Sequence, residues 1–139
     1  EEAKSGKIIW QRRVEPQTKF AIKYLHSVER TPVWEYFKVD QGEIYLTGTK
    51  YESYGAGLPF LNRHQYIVAN DKFEIKEINQ QLQNIPLRVS DYAKHTFIYD
   101  NQEYKLYKRT ATKNLVIIKI EQRSNLALLS REAQKWLTN

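Results

Sequence analysis

Phe20-Ala21-Ile22-Lys23-Tyr24-Leu25-His26-Ser27-Val28-Glu29-Arg30-Thr31-Pro32-Val33-Trp34-Glu35-Tyr36-Phe37-Lys38-Val39 is the stretch whose reading decides the fold. Phe20, Ile22 and Tyr24 alternate with Lys19, Ala21 and Lys23, and beyond Pro32 the residues Val33, Glu35, Phe37 and Val39 recur with the same period of two. That period belongs to half-buried strands. Folding the segment back through the loop 29–32 predicts a hairpin in which Val28 faces Val33, His26 faces Glu35, Tyr24 faces Phe37 and Ile22 faces Val39. A histidine and a glutamate then meet inside an apolar row. Charged groups are costly there unless they pair or are hydrogen-bonded, so the row reads as either a structural lock or part of a site.

Working outward, Gln41-Gly42 as a two-residue turn sets Val39 opposite Ile44, Phe37 opposite Leu46 and Glu35 opposite Gly48. A glycine beside the carboxylate leaves room for a water, for the side chain of Arg30 or Lys50, or for a ligand group. The same strand runs through Ser53 into Gly55-Ala56-Gly57-Leu58-Pro59, whose glycines permit positive φ and free amides that either bend the chain or hold an anion. His26, Glu29, Arg30, Glu35, Ser53, Gly55 and Gly57 therefore form the expected binding set, a polar row with its adjacent loops.

The remainder of the chain follows the same pattern. Candidate strands cover residues 7–14, 19–28, 33–40, 43–53, 65–68, 72–78, 87–89, 95–99, 103–107 and 116–121, punctuated by Glu15-Pro16-Gln17, Asp40-Gln41-Gly42, Ala69-Asn70-Asp71 and Asp100-Asn101-Gln102. Short, closely spaced strands rich in Tyr, Phe, Ile and Val predict a mainly β fold, an antiparallel β-sandwich or flattened barrel. At the end, Ser124 or Asn125 can cap a short C-terminal helix with Leu126, Leu129, Ala133 and Trp136 or Leu137 near one face. The expected organisation is one domain over residues 1–139, with a β core at 7–123 and an amphipathic helix at 124–139. That helix either covers one end of the sandwich or docks on a membrane surface or membrane protein.

Composition narrows the function classes. A chain of 139 residues can bury roughly 68–70% of its unfolded surface without cross-links. Absence of Cys excludes disulfides, thiolate catalysis and cysteine-held zinc, while leaving the compartment open. The chain starts Glu1-Glu2-Ala3 and contains no Met, so a processed or trimmed chain is expected, its membrane association residing in a removed signal peptide or anchor. A formal charge of +6 makes nucleic acid the first partner to consider, yet Lys and Arg are scattered, with no basic run and no RNP-type aromatic motif. No nucleic-acid partner is expected.

Catalysis is disfavoured on geometry. His26, Ser27 and Glu35 supply the residue types of an acyl-transfer triad, but neighbours on a strand point to opposite faces, so Ser27 cannot reach the His26 imidazole without a bulge. His26 and Glu35 are two metal-ligand types, and neither His64 nor His95 has a spacing that supplies a third. No catalytic residue, metal or cofactor is assigned.

The run from His26 to Glu35, followed by Ser53-Tyr54-Gly55-Ala56-Gly57-Leu58-Pro59, resembles family 1850 of the bacterial domains of unknown function. A second stretch, Ile85-Pro86-Leu87-Arg88-Val89 through Ala93-Lys94-His95 and Tyr104-Lys105-Leu106, is similar to that family's second half. Tyr54 stands where the family commonly has Phe. The resemblance implies a small exported protein with an amino-terminal membrane segment, placed on the outer face of the bacterial cytoplasmic membrane. It further implies a non-catalytic accessory of a TAXI-type TRAP transporter, with the permease or the TAXI solute receptor as partner. The alternative is a module that binds an anionic small molecule such as a dicarboxylate through Arg30, His26 and the glycine-loop amides. Hydrolase activity is a distant third.

Overall fold

Period-two alternation is realised in β1 (Lys19–Leu25) and β2 (Pro32–Asp40) of the computed structural model, which describes residues 1–52, 65–69 and 72–122. The two strands pair antiparallel with Phe20 opposite Phe37, Ile22 opposite Glu35, Tyr24 opposite Val33 and Leu25 opposite Pro32. The expected register was therefore displaced: Ile22 faces Glu35 and not Val39. An even slip keeps every side chain on its expected face, so Phe20, Ile22, Phe37 and Val39 are all buried. The loop comprises residues 26–31, and His26 lies in it, exposed, instead of opposite Glu35. The cause is local. Its imidazole accepts loop amides, and Arg30 turns the chain at φ 59°, so the strand stops at Leu25.

Gln41 and Gly42 both have positive φ (51° and 77°), the geometry of a two-residue hairpin turn, and β3 (Glu43–Glu52) returns with Val39 opposite Ile44 and Phe37 opposite Leu46, as expected. The register then shifts between Tyr36 and Phe37, which puts Gly48 opposite Tyr36 and Thr49 opposite Glu35. Thr47 is the extra residue of this bulge. Its hydroxyl donates to Tyr36 O (3.2 Å), and its carbonyl accepts from Ile78 N–H (3.2 Å), so the bulge is tied on both sides.

Beyond β3 come β4 (Gln65–Ala69), β5 (Lys72–Lys76), β6 (Gln80–Leu82), β7 (Ile85–Arg88), β8 (Thr96–Tyr99), β9 (Gln102–Lys105), a 3-10 turn (Leu106–Lys108) and β10 (Leu115–Ile118). The main sheet runs β4-β5-β3-β2-β1-β8-β9, with β5 and β6 sharing one edge of β3 on either side of the bulge. A second sheet, β10-β7, contributes Ile85, Leu87 and Val116 to a core completed by Phe20, Ile22, Phe37, Val39, Ile44, Val89, Phe97 and Leu106. The architecture is a mainly β, antiparallel, open sandwich. Asp100 and Asn101, both at positive φ, close the β8–β9 hairpin where the turn signal stood.

Three expectations changed. Residues 7–14 form no strand, because among the described residues no strand runs beside them; Trp10 instead packs on Phe97, Tyr99 and Tyr104 at ring-centroid distances of 4.5, 5.5 and 5.4 Å. The last strand stops at Ile118 rather than at residue 121, and the short β6, too polar to show a pattern, was not anticipated. The helix at 124–139, Ser53, Gly55, Gly57 and His64 lie outside the described residues. Among the described residues no helix is long and apolar enough to cross a membrane.

Candidate functional site

One end of the main sheet carries two loops that brace each other. In the first, Val28 and Glu29 N–H donate to His26 Nδ1 (3.2 Å each), His26 N–H donates to Thr31 O (2.8 Å), and Arg30 N–H donates to His26 O (3.0 Å). Thr31, buried, donates its hydroxyl to Glu52 O at 2.7 Å and so ties the loop to β3. The second loop, residues 91–94, is tied to the end of β1 beside the first by Leu25 N–H, which donates to Ala93 O (2.8 Å). Arg30 donates to Tyr92 O (2.6 Å) while its guanidinium lies 3.7 Å from the Tyr92 ring centroid, and Tyr92 OH donates to Ser27 O (3.1 Å). Both backbones are thereby locked across 62 residues of sequence.

Among its exposed polar residues this clamp displays two large apolar side chains. Val28 is 81% exposed and Tyr92 58% exposed, and they are two of three large hydrophobic side chains left in solvent among the described residues. Tyr and Arg are the residue types that dominate binding energy at interfaces. A loop already held in one conformation loses little entropy on docking.

Glu35 occupies a different place from the loop. It is half-buried on the core face, opposite Ile22 on one side and Thr49 on the other, and Tyr24 OH donates to its Oε1 at 3.4 Å. Burial raises the Glu35 carboxyl above its ordinary value, against a smaller lowering by that hydroxyl. Burial and the neighbouring carboxylate push Tyr24 up to about 12. His95 stacks on Tyr24 (5.4 Å between ring centroids, 27° between planes); its Nδ1 is enclosed without a hydrogen-bond partner among the described residues, and burial holds it below the usual histidine range. The partner of the half-buried carboxylate is thus a tyrosine, and the histidine that contacts this tyrosine is His95 and not His26. Thr49 turns its hydroxyl to Trp34 O (3.0 Å), Lys50 lies over the Trp34 ring (5.2 Å), and the position where a Gly48 Cβ would stand is closed by Ile75 O at 2.8 Å. No open space of the kind expected beside Glu35 exists at Gly48.

Of the expected binding set, His26, Glu29 and Arg30 share the loop, Glu35 is separated from it on the core face, and the rest fall outside the described residues. Among the described residues no three histidine or carboxylate side chains converge on a metal position. Tyr92 and His95 were absent from the expected set. Alternation did place His95 on the face of Phe97 and Tyr99, but its meeting with Tyr24 needs the β1–β8 pairing, which joins strands about 75 residues apart.

The chain matches the family model described as "Domain of unknown function (DUF1850)" over residues 20–106. It belongs to the DUF1850 family. No curated protein and no solved structure matches it at a significant level. The matched span of this DUF1850 chain opens within β1 and closes at the turn after β9, so it contains both clamped loops and the Glu35–Tyr24–His95 cluster.

Proposed function

We propose that this DUF1850 protein is a non-catalytic extracytoplasmic accessory domain of a TAXI-type TRAP solute-uptake transporter, and that it docks a transporter subunit through the clamped tip at residues 26–31 and 91–94. The observation that carries the reading is the exposure of Val28 and Tyr92 on a doubly hydrogen-bonded, preorganised loop pair. The geometry favours docking over capture of an anionic solute, because the Arg30 guanidinium is already engaged by Tyr92 and His26 Nδ1 already accepts two amides.

Pull-down and crosslinking with the TAXI solute receptor and with the permease test the reading. The wild-type chain captures one of them; Val28→Asp and Tyr92→Ala each weaken capture about 30-fold, the effect of losing an interface anchor worth about 2 kcal/mol. Val28 makes no hydrogen bond through its side chain and is exposed, so Val28→Asp leaves thermal stability little changed and carries the test, whereas Tyr92→Ala also removes the hydrogen bond to Ser27 O and the ring on which Arg30 lies. Capture of neither subunit, or capture unaffected by both substitutions, refutes the assignment.

A further inference from the structure

Each loop of the clamped tip depends on a histidine that serves it only as the neutral imidazole. In the first loop, His26 Nδ1 accepts the N–H groups of Val28 and Glu29 (3.2 Å each), the short reach by which asparagine side chains order a turn. An imidazolium carries a proton on both ring nitrogens and accepts nothing. Protonation of His26 therefore removes both bonds and turns an N–H toward two amides. Arg30 follows at φ 59°, a conformation that residues with a Cβ adopt sparingly, so its turn depends on that bracing.

His95 stands at the foot of the second loop. It directly follows Lys94, its ring stacks on Tyr24, and its Nδ1 is enclosed without a hydrogen-bond partner among the described residues. A charge on this ring enters an enclosure that offers it no acceptor. An imidazolium over Tyr24 gains some cation–π attraction, but burial outweighs it and holds His95 below the usual histidine range. Relief comes by moving the ring toward water, which draws residues 91–94 away from Leu25, whose N–H donates to Ala93 O.

We propose that the tip is an acid-opened clamp: protonation of His26 frees residues 26–31, protonation of His95 displaces residues 91–94, and the Arg30–Tyr92 and Tyr92–Ser27 contacts between the loops part. Histidine is the side chain suited to this, since its charge changes between pH 5 and 8. The surrounding charges do not cancel the effect. Around His26 stand Glu29 and Arg30 of its own loop, Asp91 and Lys94 of the second, and Glu52 and Tyr51 at the end of β3, with Glu29 and Glu52 each already engaged. Around His95 stand Tyr24 with Glu35 bonded to it, and Lys23 and Lys105 opposite Thr96 on the two neighbouring strands. Glu35 is the carboxylate placed to compensate an imidazolium, and burial makes it give up its charge earlier on acidification than an exposed one. Once the loops part, Val28 and Tyr92 no longer form one preorganised surface, so docking is lost in acid. That consequence rests on the tip being the docking surface, whereas the opening itself does not.

NMR on the whole isotope-labelled chain from pH 7.5 to pH 4.5 tests the proposal. Ring-carbon shifts follow each histidine, and NOEs between the Tyr92 ring and the Arg30 side chain follow the clamp. Those NOEs are lost as His26 and His95 titrate, the Val28 and Glu29 amide protons move upfield with the His26 ring, and the core signals of Ile22 and Val116 stay dispersed. His26→Asn keeps a side-chain acceptor that does not titrate, and His95→Phe keeps a ring for the Tyr24 stack. Each variant alone moves the opening to lower pH, and together they keep the NOEs at pH 5. Contacts that survive protonation of both rings overturn the proposal, as do rings that stay neutral down to pH 4.5. Loss of the core signals along with the tip, or an opening unchanged in both single variants, overturns it too. Because the chain is read alone, failure to capture a transporter subunit at pH 7.5 counts against the docking assignment, and a clamp still closed at pH 5 counts against the acid opening.

Discussion

Replacing Glu35 by Gln should stabilise this protein at neutral pH, an unusual direction for a substitution beneath a sheet. The carboxylate sits on the core face between Ile22 and Thr49, and the one hydrogen bond described for it is a long one, 3.4 Å, from Tyr24. Glutamine keeps the shape and the acceptor for Tyr24 but cannot ionise. Removing a buried charge that lacks a strong partner is worth about 1–4 kcal/mol, and partial exposure of Glu35 places it at the lower end, about 1 kcal/mol. For a chain of this size that is about 3–4 °C in Tm. The sign depends on pH. Because the folded-state carboxyl lies above its unfolded value of 4.5, the native protein has full stability below pH 4.5 and loses some as pH rises through the folded value. Thermal melts of both proteins from pH 3.5 to pH 8 should therefore coincide at the acid end and separate toward neutrality, Glu35→Gln being higher. A lower Tm for the variant at pH 7, or a gap that does not vary with pH, refutes the reasoning.

Two further outcomes follow from the same geometry. Gly48→Ala forces a Cβ to within 2.8 Å of Ile75 O, a backbone atom that cannot swing away, and should cost about 1–3 kcal/mol in chemical denaturation; an unchanged midpoint would show that β3 and β5 separate freely. His95 titrates in the opposite sense to Glu35. Its folded-state value is depressed, so its contribution is complete above pH 6.5 and is lost as pH falls through the folded value; His95→Phe should gain Tm relative to wild type as pH falls from 7 to 5, and a pH-independent difference would count against a neutral, enclosed ring.

Strand identity was legible from short-range pattern. Phe20, Ile22, Phe37 and Val39 all point inward as alternation required, and the primed turns at Gln41-Gly42 and Asp100-Asn101 stand where their residue types placed them. Register was not legible. The first hairpin closed at Leu25 rather than Val28 because a histidine side chain accepted amides that a longer strand would have paired, a choice that alternation cannot detect. The bulge at Thr47 likewise leaves the residues before and after it in good strand pattern while moving Glu35 from Gly48 to Thr49. Residues 7–14 show the converse: their alternation predicts a strand, but a strand forms only when another lies beside it, and among the described residues none does.

The candidate site divides along the same line. The loop residues His26, Glu29 and Arg30 were found from sequence because charged and turn-forming residues cluster there, whereas Tyr92, which receives Arg30, lies 62 residues away. Sequence alone determined the central strands β1 to β3 and the faces their side chains take, the DUF1850 resemblance and the presence of a carboxylate on an apolar face, because each is a property of neighbours along the chain. Tertiary structure decided that Glu35 meets Tyr24, that His95 stacks on Tyr24, that two loops lock into one tip, and that residues 8–14 and 118–122 border a common cleft. Those are contacts between distant segments, and they are set by strand pairing and by competition among hydrogen-bond partners across the folded chain.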